Sequence, residues 1–170
     1  MAESAKHLSY LWMLSVFRPV LFTGNGSPLR MEPMRWMALD HGTKNIGIAF
    51  SDELEIVASP YQVWPNQGEP TLDRLARLAR TEEAQGLVVG LPRHKDGAES
   101  ATAPLARSFG EALAALTGLP LVFWDERLTS VEADRLLAER GVKAKDRKAR
   151  LDAAAAAVML QDLIETRRSG

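Results

Sequence analysis

The sequence predicts an α/β protein, a single domain built on a mixed five-stranded sheet flanked by helices. Three observations carry this expectation. Three extended apolar runs follow one another with no helix between them, and helical and extended segments then alternate. The chain is also the right size, since 170 residues at 46% hydrophobic content can bury one sizeable core.

The first two strands are read from MRWMAL and IGIAF, which form a hairpin around DHGTKN. Asp40 sits where the first of them leaves the sheet, and Gly42 and Gly47 allow backbone or substrate to approach closely. Glu55 to Trp64, EIVASPYQVW, is the third extended run, and its Pro60 suits an edge strand or a bulge. Glu69 to Ala84 places Leu72, Leu75, Ala76 and Ala79 at helical spacing with arginines on the other face. Gly86-Leu87-Val88-Val89 then reads as a short buried strand. A helix over about Glu99 to Leu116 leads through Gly118 and Pro120 into the strand Leu121-Val122-Phe123-Trp124. Two helical segments, Thr129 to Arg140 and Leu151 to Thr166, close the chain. This order suits a ribonuclease H-like fold, and in such open sheets ligands gather beyond the carboxyl ends of the parallel strands.

Residues 1 to 33 read as an N-terminal extension outside the core, with the domain spanning 34 to 170. The apolar run LSYLWMLSVFRPVLF at 8 to 22 is interrupted by Arg18 and Pro19, lacks a following A-x-A site and is too short to span a bilayer. Met31, Met34 and Met37 are alternative starts. The absence of cysteine excludes disulfides and thiolate zinc sites and suits a cytoplasmic protein. With 21 Lys+Arg against 22 Asp+Glu, a nucleic-acid partner must be held by local basic patches rather than by overall charge.

Three polar loops at the predicted strand ends carry acids. Asp40 is the first. In FWDERLTS, Asp125 and Glu126 both follow a strand, and Thr129 with Glu132 has capping-box spacing. In KARLDAAAAAVML, Asp152 opens a helix that is apolar almost all round, and Asp152, Ala156, Met159 and Leu163 share its inward face. Singly, each acid is as well explained by a turn, a cap or the helix dipole. Jointly, carboxylates converging on one sheet edge suit a hard divalent ion, Mg²⁺ or Mn²⁺.

In order and spacing, LDHGTKNIGIAFSD, VVGLPRHKDG, DERLTSVEA and LDAAAAAVMLQ resemble the YqgF/RuvX family of Holliday-junction resolvases and pre-16S rRNA nucleases, over about Met34 to Thr166. Asn45 departs from the arginine more frequent there. The resemblance implies a metal-dependent endonuclease acting on four-way DNA junctions, in recombination and repair, or on precursor 16S rRNA, in ribosome biogenesis. It implies that Asp40, Glu126 and Asp152 are the catalytic acids and metal ligands of a two-metal site whose ions lie about 3.5–4 Å apart. Asp125 is the neighbour most easily confused with Glu126. His41 reads as a support behind the metal ligands, as a substrate contact or as a solvated turn residue.

Substrate contacts should be cationic, because the phosphate backbone dominates nucleic-acid affinity. Lys44 and Arg127 flank the acids, and Arg93 and Lys95 lie in the loop after the fourth strand. The run Lys143-Ala144-Lys145-Asp146-Arg147-Lys148-Ala149-Arg150 leads to Asp152, and Lys148 is its representative contact. Neither loop holds an aromatic residue to stack bases, so backbone recognition is expected rather than sequence reading. Symmetric cutting of a junction would need a homodimer, whereas trimming an RNA end would not. Two rivals remain at this point. One is a sugar-kinase or actin-like ATPase, which shares the D-x-G-T loop but needs two such domains; the other is a non-catalytic nucleic-acid or ribosome-binding module on the same fold.

Overall fold

The computed structural model describes residues 33–93, 100–125 and 129–169. Its centre is the expected mixed sheet, five strands in the order β3-β2-β1-β4-β5. β1 (Trp36–His41) and β2 (Asn45–Ser51) form an antiparallel hairpin, and β3 (Ala58–Pro65) continues it as the edge strand. β4 (Gly86–Leu91) and β5 (Leu121–Asp125) add to the other side of β1 in parallel. β4 is buried along its whole length, as a parallel strand covered on both faces should be, which is why it reads as an unbroken apolar run. β3 is mostly exposed, and its register against β2 slips between Ile48 and Ala49, where Ile48 faces Gln62 but Ala49 faces Pro60. Pro60 therefore sits at an edge bulge, where its missing N–H is tolerated.

Period-2 alternation assigns each strand residue to one of two layers. Met37, Leu39, Ile48, Leu87 and Val89 face α1 (Glu69–Thr81) and α2 (Ala103–Thr117), meeting Leu75, Phe109 and Leu113. Trp36, Ala38, Ala49, Val88 and Val122 face the long helix α4 (Ala144–Ser169), meeting Ala156, Leu160, Leu163 and Ile164. Each buried Val, Leu or Ile of this seam contributes about 1.5–3 kcal/mol, so the α4 contact is a main source of stability. α3 (Thr129–Glu139) lies outside α4, joined through Ala133, Leu137, Ala154 and Ala155. No helix among the described residues is long and apolar enough to cross a membrane.

Three expected boundaries are corrected. The third strand begins at Ala58 rather than Glu55, because Asp52 accepts from the Ile56 and Val57 N–H groups and holds a turn there. The helix expected over about Glu99 to Leu116 begins at Ala103 and ends in a left-handed Gly118, φ 71°. The largest correction concerns the last helix, which begins at Ala144 rather than Leu151. The basic run is thus two helical turns and not a loop, and Asp152 lies well inside α4. The dipole explanation for Asp152, which needs a first-turn position, is removed. Glu132 pairs with Arg135 one turn on, and the capping-box reading, which needs the Thr129 side chain, lies outside the described residues.

At its other end α4 is fastened by Arg167. Its guanidinium pairs with Glu55 and lies 5.1 Å over the Trp36 ring, and Glu55 also accepts from the Met34 N–H at 2.9 Å. Both partners are 8% exposed.

Candidate active site

Asp40 is the fifth residue of β1, half-buried, at the end of the strand from which the parallel neighbours also emerge. Its partner across the antiparallel ladder is Gly47. Directly opposed residues share a face, and alternation from Trp36 and Ala38 puts Asp40 on the α4 side of the sheet.

Gly47 is where the second acid arrives. A Cβ built on it would overlap the backbone carbonyl of Asp152 and the Ala153 nitrogen, so the helix backbone rests directly on the strand. The alanine run 153–157 serves the same approach, because small buried side chains let α4 sit close to β2 on one side and α3 on the other. The result brings Asp152 and Asp40 to one place, both of them neighbours of Gly47. Asp152 is half-buried, and burial pushes its carboxyl above the ordinary carboxylate range. Among the described residues no cation offsets that burial.

The turn between β1 and β2 is held from a distance by Asn66, which sequence reading missed. Its side-chain amide donates to the Gly42 carbonyl at 2.9 Å and approaches His41 Nε2 at 3.2 Å, and its backbone N–H donates to the Lys44 carbonyl at 2.8 Å. One residue therefore holds both ends of the loop between Asp40 and the second strand, Gly42 through its side chain and Lys44 through its backbone. His41 faces the opposite layer, its ring tilted 39° to that of Phe109 with centroids 4.5 Å apart, and burial pushes its pKa down. His41 is half-buried with Nε2 against the Asn66 amide, so it supports the turn that carries Asp40 rather than standing in solvent. The only sequence hint of Asn66 was its place in the turn-like PNQG, which does not name a partner 24 residues away.

The remaining candidates divide plainly. Asp125 ends β5 opposite Leu91, and alternation from Leu121 and Phe123 puts it on the α1/α2 side, away from Asp40 and Asp152. Lys44 is exposed in the β1–β2 turn, and Arg93 is exposed just after β4, at the same end of the sheet. Glu126, Arg127, Lys95 and the side chain of Lys148 lie outside the described residues. Among the described residues no three His, Cys, Asp or Glu form a ready metal cluster; Asp40 and Asp152 supply two hard oxygen donors of the kind Mg²⁺ and Mn²⁺ take.

Fold and geometry together define a class: an α/β protein with Asp40 at the carboxyl end of its first strand and the Asp152 backbone packed on Gly47, opposite it. The family model described as "RuvX: Holliday junction resolvase" matches residues 34–166, and the chain belongs to that family. A relative from Anaeromyxobacter sp. (strain Fw109-5) is 41% identical over 80% of this chain and 100% of its own length. Another, from Symbiobacterium thermophilum, is 42% identical over 79% of this chain and 94% of its own. Each bears the name "Putative pre-16S rRNA nuclease". Among solved structures, Thermus thermophilus RuvC in complex with a Holliday junction substrate aligns over 79% of this chain and 96% of its own, at 15% identity and a TM-score of 0.48.

Proposed function

We propose that this chain is a metal-dependent nuclease that hydrolyses phosphodiester bonds, with Asp40, Glu126 and Asp152 as its catalytic acids. The observation that carries the reading is the placement of Asp152. The fold presses its backbone onto Gly47, opposite Asp40, and leaves a half-buried carboxylate that no cation among the described residues offsets. A buried acid so placed costs stability unless a cation joins it. The two carboxylates fit Mg²⁺ or Mn²⁺, with Glu126 as a third donor. In a two-metal site such ions supply an activated water and stabilise the leaving oxygen of the phosphodiester.

The chain's own residues do the rest. Asn66 and His41 hold the β1–β2 turn so that Asp40 keeps its angle. Lys44, Arg93, Arg127, Lys95 and Lys148 meet the phosphates of the substrate, whose affinity should fall steeply with salt. The family description supports a four-way DNA junction as substrate, and the names of the relatives support precursor 16S rRNA. We assign the domain to residues 34–170 with residues 1–33 as an appendage, place the protein in the cytoplasm, and expect a homodimer if the junction is the substrate.

The test is cleavage of a four-way junction and of a precursor rRNA fragment with Mg²⁺ or Mn²⁺. Asp40→Asn should lose about three orders of magnitude in rate while still binding. Equal cleavage by parent and variant would overturn the reading, as would metal-dependent ATP turnover without any strand cleavage.

A further inference from the structure

A second cationic feature lies at the tip of the arm formed by α3 and the start of α4. After Glu139 the chain turns through Gly141, whose φ of 75° is left-handed, and Val142 packs back into the Ala133 and Leu137 cluster. The corner is tied down. Gly141 N–H donates to Ala138 at 2.9 Å, Val142 N–H to Leu137 at 3.0 Å, and Arg147 reaches both Asp134 at 2.9 Å and the Val142 carbonyl at 3.3 Å. Around this corner Arg140, Gly141, Val142, Lys143, Asp146 and Arg150 line an open concavity of about 360 Å³.

Three cations share that hollow with one carboxylate. Arg147 is committed to Asp134, whereas Arg140, Lys143 and Arg150 have no ion pair or hydrogen bond among the described residues. Like charges gathered on a fixed corner repel unless an anion joins them. Arginine forks and a lysine point charge suit phosphate oxygens.

We propose that this notch holds a backbone phosphate of the nucleic acid, away from the scissile bond, as a second anchor for the strand. The inference rests on the nuclease reading above for its substrate. Position gives it content. β1 is about 20 Å long and α4 about 39 Å, so the start of α4 overhangs the end of the sheet where Asp40 lies. Asp152 follows Ala144 by just over two turns, about 12 Å along the axis. A stacked strand advances about 3.4 Å per phosphate, so the anchored phosphate lies about three to four nucleotides from the cut, fewer where the strand is unstacked. The notch thus demands a substrate that continues past the cleavage site on one side.

The test uses the full chain carrying Asp40→Asn, without divalent metal, and reads binding by fluorescence anisotropy. The probes are a synthetic RNA strand and a four-way DNA junction, each with single phosphates replaced in turn by uncharged methylphosphonates. Adding R140Q and K143Q should weaken binding about fivefold to tenfold and make the log–log salt slope shallower by roughly one to two. A methylphosphonate three or four nucleotides from the cut should weaken the parent and leave the double variant unaffected. Asp146→Asn, which removes the carboxylate from the hollow, should bind about twofold tighter. Loss on RNA, on DNA or on both supports the notch and names its source.

Binding by the double variant within twofold of the parent on both probes would overturn the proposal, as would a methylphosphonate effect that survives R140Q and K143Q. The two readings fail separately. With Asp40 restored, R140Q and K143Q should raise KM and spare kcat, whereas failure of the nuclease reading appears as cleavage that does not depend on Asp40.

Discussion

The two ends of α4 treat a buried acid in opposite ways. Near Arg167, Glu55 is 8% exposed and fully accounted for, paired with the guanidinium and accepting from Met34 N–H. Toward the other end, Asp152 is half-buried, and burial pushes its carboxyl above the ordinary carboxylate range. Among the described residues, the same helix meets a partner for the acid in one place and none in the other. A fold under pressure for stability alone would treat both alike, since an uncompensated buried charge is unfavourable. The contrast marks the Asp152 end as the place where something from outside the chain is expected to bind.

Breaking the satisfied end should have the largest effect on stability. Arg167→Ala leaves Glu55 buried without its cation and should cost about 3–5 kcal/mol in a urea titration, while sparing metal affinity. A cost under about 1 kcal/mol would show that Glu55 is as uncompensated as Asp152, and the contrast would vanish. Gly47→Ala comes next. A methyl there has to displace the Asp152 backbone, so about 1–3 kcal/mol should be lost, with cleavage falling further than stability explains because the two acids separate. Full activity in a folded Gly47→Ala protein would mean that the close approach does not set the site.

Asn66→Ala should be milder, about 1 kcal/mol or less in stability, with a lower kcat at unchanged metal affinity, because the turn carrying Asp40 and Lys44 loosens. The smallest effect is one of pH. Asp152 has a raised folded-state pKa, so between its ordinary value and that raised value the folded protein binds more protons than the unfolded chain. Stability of the metal-free protein should therefore fall as pH rises through that window, with the burial penalty fully present above it. Asp152→Asn should remove the slope and melt higher than the parent at neutral pH, a reversal of the usual sign for mutating a polar site. A lower melting temperature for the variant would indicate a partner for Asp152 and undo the comparison.

The sequence carried the sheet well because its signals are local. The all-buried β4 reads as an apolar run, and Pro60 announces the edge through its missing donor. The start of α4 was misplaced because KAKDRKAR looks like solvated coil, although lysine, arginine and alanine are good helix formers and a helix needs no apolar face where it overhangs the sheet. Alternation along β5 separates Asp125 from Asp40, a distinction that needs the strand register and not only the strand. Pairings such as Glu55 with Arg167, 112 residues apart, leave no trace in spacing or composition. The Asn66 clamp was hidden for the same reason.

The central claim is that Asp40 and Asp152 share a divalent ion. Anomalous diffraction from crystals grown with Mn²⁺ tests it most directly. A manganese peak should lie between the two carboxylates, about 2.0–2.3 Å from an oxygen of each, and should disappear in Asp152→Asn. A peak bound elsewhere, or none at millimolar Mn²⁺ with both carboxylates ordered, would contradict the account.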